Sequence, residues 1–299
     1  MKKQLLITSL SFLGITLASC SPTGLTLKAE LPDIPNATPM EQSRALETLN
    51  TLNEEAKNVR YVIYEVENES YQSASAYVPA SYGYSKGSGA IDLVEEIYTM
   101  SAVVDVSGIH MEMSGTAFAN DGTYYPLEEV NYVSTISYKM SFTYGGETHY
   151  QEQNMVMGIS TKYDFAVLCN YSPYVLLDEE NGNIVTSSFT GTNDSKSLGW
   201  FVTINDVTLA EFYMEWSGAY IDGLLTSQTL VQHANVLGIS IDSAARYSYS
   251  YPTSIEPITV PSIDATWNDF GKYNLDDLLE YIYDNPMDDQ TGLPAQFMF

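Results

Sequence analysis

Gly83-Tyr84-Ser85-Lys86-Gly87 fits the G-x-S-x-G pattern, in which a serine on a sharp strand-to-helix turn serves as a nucleophile. Acids and His110, His149 and His233 follow it in the chain, as a catalytic triad would require. The residues before Ser85, however, are Ser, Ala, Tyr and Pro rather than a buried apolar strand. Ser85 therefore reads as part of a Gly/Ser-rich loop, and the chain reads as non-catalytic. His110 falls on the polar side of a strand, His149 just after a hairpin turn, and His233 in a run with helical character. No two of them have metal-ligand spacing. Asp178-Glu179-Glu180, Asp276-Asp277 and Asp288-Asp289 lack the alternating ligands and glycine of a calcium loop. They read as a turn flank, a helix N-terminus and a solvated tail, so neither metal nor cofactor is expected.

Composition narrows the field further. The 299 residues carry 38 acids against 12 bases, a formal charge of −26. Phosphate backbones are bound through Lys and Arg, so nucleic acid is excluded as a partner. Two cysteines cannot make a disulfide scaffold. Charged residues are scarce, so Ser, Thr, Asn, Gln and the 24 Tyr must supply the polar surface. Tyr has an apolar body and a polar tip, which suits either a half-buried sheet or a groove for acyl chains or sugar rings.

Lys2 and Lys3 precede an apolar run, Leu5 to Leu17, which is too short to span a bilayer and reads as a secretory signal. It leads into Leu17-Ala18-Ser19-Cys20. This segment resembles the lipobox of a bacterial lipoprotein precursor. The resemblance implies a diacylglyceryl thioether on Cys20, cleavage before it and an extracytoplasmic, membrane-anchored protein. Ser21 after the Cys implies the outer membrane in a cell that has two. Loss of residues 1–19 removes two Lys and leaves a body of −28. Anionic lipid surfaces repel such a body, so acyl chains rather than charge must hold it at a membrane. Cys169, in the apolar run Phe165–Cys169, reads as a small buried hydrophobe.

The remaining chain divides into a tether (20–38), an antiparallel β domain with a packed helix (39–262) and a C-terminal helix with an acidic tail (263–299). Pro22, Pro32 and Pro35 interrupt the tether. Thr38 is placed to cap a helix with Pro39 at its first position, and Leu46, Leu49, Leu52 and Ala56 form its apolar stripe to residue 57. Period-two segments follow at 59–66, 98–106, 109–118, 130–144, 147–159, 161–169, 173–178, 183–190, 197–205, 207–216 and 239–251. Residues 70–90 read as a long loop, 91–97 as one or two helical turns, and 226–237 as a short helix. A last helix, 275–283, has Asn274 as its cap. Turn residues such as Gly145-Gly146 join neighbouring strands, which makes the sheet antiparallel.

The expected fold is thus mainly β (α+β): one large curved antiparallel sheet or incomplete barrel with an N-terminal and a short C-terminal helix. One helix leading into Val59–Val66, a meander of strands and a late Pro-rich stretch, Tyr247 to Pro261, resemble the LolA/LolB/LppX group of extracytoplasmic lipoproteins. The resemblance implies a curved sheet that holds acyl chains. Tyr132, Ile136, Tyr138, Met140 and Phe142 alternate on one side of strand 130–144 and are the candidate lining of a site for a lipid or other amphiphile. The same alternation serves a rival reading. There the helix fills that side, and a structural or adhesive surface protein meets a protein or glycan through exposed Tyr.

Overall fold

A computed structural model of the chain describes residues 25–56, 58–74, 79–160, 184–206, 212–236 and 239–273. The expected strands at 161–169 and 173–178, the helix 275–283, Cys20, Cys169 and the three acidic clusters lie outside these residues. Within these described residues thirteen strands form a single open, curved sheet. They are β1 (Thr38–Met40), β2 (Tyr61–Gln72), β3 (Ser81–Asp92), β4 (Ile97–Val106), β5 (Ile109–Ala119), β6 (Tyr132–Tyr144) and β7 (Glu147–Ile159). After these come β8 (Ile184–Gly191), β9 (Leu198–Asp206), β10 (Phe212–Ile221), β11 (Leu224–Val236), β12 (Ile239–Ser250) and β13 (Asn268–Tyr273). Their order is β1-β8-β9-β10-β11-β12-β2-β3-β4-β5-β6-β7-β13. Among the described residues every pairing is antiparallel except β13 on β7, which is parallel and departs from the all-antiparallel sheet that the turns imply.

Helix α1 (Gln42–Ala56) lies on one face of the sheet. Its stripe of Ala45, Leu49 and Leu52 packs on Phe189, Leu198, Trp200, Val202, Trp216 and Tyr220, all buried. We call this the helix face. Tracing cross-strand partners carries it across the sheet, from Trp216 through Leu230 and Ala245, and from Tyr249 to Tyr64 and Gly89, as far as Met100, Gly115 and Ile136. In the middle stand stacked tyrosines. Tyr64 and Tyr98 have ring centroids 5.7 Å apart, and the Tyr64 hydroxyl lies 2.6 Å from that of Tyr98.

Glycine makes this stacking possible. A Cβ on Gly89 would lie 2.3 Å from the Tyr64 hydroxyl and 2.0 Å from the Thr99 carbonyl oxygen. A Cβ on Gly218 would likewise lie 2.2 Å from the Trp200 ring. The missing side chains let large rings lie flat on the backbone.

The opposite face carries the N-terminal segment, and we call it the strap face. Residues 25–37, expected as part of a tether, run against the sheet with Leu27, Ala29 and Ile34 buried. At one end the Glu69 carboxylate on β2 accepts bonds from the Leu27 N–H at 3.0 Å, the Thr26 N–H at 2.6 Å and the Thr26 hydroxyl. At the other end Ile34 and Pro32 sit over Gly199 on β9. Between those points the strap crosses β12, β11 and β10, where Ala244, Thr229, Ser217 and Ala219 are buried beneath it. Small side chains across four strands leave it room.

Four local expectations are corrected. Thr38 is not a helix cap: Thr38–Met40 pair with Phe189–Gly191 at the sheet edge, where Pro39 is tolerated, and the helix begins at Gln42. Residues 70–90 are not one loop, since β2 runs to Gln72 and β3 begins at Ser81. Residues 91–97 are the end of β3, a turn and the start of β4 rather than helical turns. Residues 226–237 are not a helix but mostly strand β11, held in register between β10 and β12. In residues 81–92 and 224–236 ladder hydrogen bonds to two neighbouring strands override weak local preference, and β1 is held by its one neighbour, β8.

Candidate functional site on the two faces of strands β2 to β7

The candidate lining residues share the helix face but not one environment. Tyr132 is buried with Val62, Tyr64 and Ile91. Ile136, Tyr138, Met140 and Phe142 are half-buried further along β6. Their cross-strand partners on β5 are Gly115, Met113, Met111 and Ile109. On β7 they are Met155, Gln153, Gln151 and His149. A surface of thioethers and rings therefore borders a polar edge. The Tyr138 hydroxyl donates to Gln153 Oε1 at 2.7 Å and accepts from Gln151 Nε2 at 2.9 Å, and Phe142 stacks on His149 at 5.3 Å. Methionine side chains adapt to varied apolar shapes, and such a rim can hold a head group.

Helix α1 packs over β8 to β11. Among the described residues, the core under the helix contains no side chain from β4 to β7.

The strap face of the same strands is polar. A depression of about 490 Å³ there is lined by Glu65, Lys86, Val103, Glu112, Lys139 and Glu152, with serines between them. Successive partners form a cross-strand row of alternating charge: Arg246, Glu67, Lys86, Val103, Glu112, Lys139, Glu152. Lys86 lies 3.5 Å from Glu67, and Lys139 lies 3.3 Å from Glu152. These exposed pairs satisfy one another, which accounts for the row as a solvated ladder. At the far end of this face Ile97, Phe118, Val133 and Val156 are covered by Tyr125, Val130, Ile258, Ile263 and Trp267.

Ser85 lies inside β3, not at an elbow. Its hydroxyl accepts a bond from Asn68 Nδ2 at 2.9 Å on the helix face. His110 lies on the strap face, 2.7 Å from Asp105 Oδ1, and this bond raises the imidazole pKa. His233 is also on that face, bonded to Asp242, and His149 is on the helix face. The described residues hold no group of three or more His, Cys, Asp or Glu arranged for a metal.

Sequence reasoning missed Glu69 and the strap. No local signal marks them, because their partners are 42 and 43 residues apart. It also missed the Arg60–Asp92 clamp. There Arg60 Nε and Nη2 donate to the buried Asp92 carboxylate at 3.2 and 2.9 Å, beside the N–H groups of Val94 and Glu95.

No family model matches the chain, and no curated protein matches it. Among solved structures, Neisserial surface protein A is similar at 6% identity, covering 64% of this chain and 96% of that one, with a TM-score of 0.21. A beta-barrel-like protein of a domain of unknown function from Brucella abortus is 12% identical, covering 65% and 99%, with a TM-score of 0.25. The N-terminal β-barrel domain of Pseudomonas aeruginosa OprF is 12% identical, covering 64% and 98%, with a TM-score of 0.19. Likenesses this weak assign neither a fold family nor a role.

Proposed function

We propose that this chain is a non-catalytic extracytoplasmic lipoprotein. In this reading lipid on Cys20 anchors it, and the helix face of β4 to β7 takes a hydrophobic or amphiphilic ligand. One observation carries the ligand reading. Ile136, Tyr138, Met140 and Phe142 meet the methionines of β5 as a half-buried apolar surface, while the helix, which the rival reading sets on that side, packs over β8 to β11. A chain of methylenes laid on Met111, Met113 and Met140 would leave its polar end beside Gln151, Gln153 and the Tyr138 hydroxyl.

Native mass spectrometry of the protein extracted from producing membranes tests this, followed by displacement of a fluorescent fatty acid. Co-purified lipid, or saturable probe binding weakened at least tenfold by Met140→Glu in a folded protein, is the expected result. A lipid-free protein that neither binds the probe nor responds to Met140→Glu overturns the ligand reading and leaves the adhesive one.

A further inference from the structure

Six residue steps separate Cys20 from Thr26, the first residue held by Glu69. Fully extended, they reach about 20 Å at ~3.3–3.6 Å per residue. A lipid on Cys20 therefore cannot let the body swing freely. Whatever path those residues take, the bilayer must lie within that distance of Glu69 on the strap face.

The surface around Glu69 suits such a neighbour. Tyr71 and Tyr82 are cross-strand partners on the strap face, and Tyr84 is the partner of Glu69 itself. The row through Glu69 continues across Tyr84, Asp105, His110 and Ser141 to Tyr150. Tyr150 is 83% exposed on this polar face, which its own sheet does not explain. Tyrosine concentrates at the headgroup layer of bilayers, where its ring and its hydroxyl each find a suitable medium. Reach and residue type agree on one partner.

We infer that the strap-face surface bearing Tyr71, Tyr82, Tyr84 and Tyr150 lies against the headgroup layer of the anchoring membrane, and that the Glu69–strap contact holds it there. This rests on the Cys20 anchor proposed above. Releasing the strap would lengthen the stalk from six residue steps to 18, the distance in sequence from Cys20 to Thr38 of β1. The reach then grows to roughly 60 Å at the same extension per residue. Glu69 thus sets the distance between body and bilayer.

The test uses full-length, lipidated protein in phosphatidylcholine vesicles carrying a headgroup energy-transfer acceptor. Donor dyes are placed on His110→Cys or on Val94→Cys, in a Cys169→Ser background. Both native positions are exposed, and they stand at opposite ends of the β4 strand, roughly 30 Å apart by strand rise. Intact mass is read first. Acyl mass with strong transfer from position 110, at least threefold weaker transfer from 94, and loss of that difference in Glu69→Gln is the expected result. Acyl mass with equal transfer from both positions, or stronger transfer from 94, overturns the orientation and leaves the anchor standing. A protein with no acyl mass overturns the anchor and the orientation together.

Discussion

Ser85 and His110 lie on opposite faces of the same sheet. Ser85 is the cross-strand partner of Val104, whereas His110 is the partner of Asp105, one residue further along the same strand. A strand alternates its side chains, so one residue of offset puts the sheet itself between hydroxyl and imidazole. The G-x-S-x-G pattern is here a Gly-rich strand segment packed under Val66, Val106 and neighbouring side chains.

Ser85→Ala is accordingly expected to leave any background hydrolysis of p-nitrophenyl esters unchanged. It should lower stability by about 1 kcal/mol, because it removes the acceptor for Asn68. Paired rate and urea measurements check both halves. A loss of turnover would mean that the serine does chemistry.

Acid should destabilise the protein through Glu69 and Asp92. Burial raises both carboxyls, but other groups outweigh it. The Thr26 hydroxyl, the strap N–H groups and Tyr82 hold Glu69 below the usual carboxylate range. Arg60 and the N–H groups of Glu95 and Val94 do the same for Asp92. A folded pKa below the unfolded value means that the unfolded chain takes up protons first as pH falls. The stabilisation is therefore complete above about pH 4–4.5 and disappears as pH falls toward the depressed folded values. Urea midpoints from pH 7 to pH 2.5 should fall less steeply in Glu69→Gln and Asp92→Asn than in the native protein.

Gly89→Ala and Gly218→Ala should each cost about 3 kcal/mol, since the new methyl meets backbone carbonyl oxygen as well as a ring and neither can withdraw cheaply. Gly145→Ala opens onto empty space and pays only for its φ of +62°, about 1 kcal/mol. Chemical denaturation of the three variants should rank them in that order.

Leu49→Ala and Met140→Glu should separate stability from binding. Leu49 is fully buried on the sheet-facing side of the helix, and its truncation should cost about 2–5 kcal/mol while sparing fatty-acid displacement in folded protein. Met140 is half-buried on the far part of the same face. Its change to Glu should weaken the probe and shift the urea midpoint far less. Measuring both properties in both variants decides the matter.

Alternation along single segments was enough to place β5, β6, β7, β9 and β12 within a residue or two, and Gly145-Gly146 marked its hairpin. It also put Ile136, Tyr138, Met140 and Phe142 on one side of β6, because period two follows from strand geometry alone. Tertiary structure decided which elements cover which face. Residues 81–92 became a strand because β2 and β4 offer hydrogen-bonding edges on both sides, and their glycines, unpromising locally, receive Tyr64 and Val66 from the next strand. The strap depends on Glu69, Ser217, Thr229 and Ala244, supplied by β2, β10, β11 and β12. No window of sequence contains that set. A strand's periodicity is written in its own residues, but the cover of a sheet face is a sum over strands that meet only when the chain has folded.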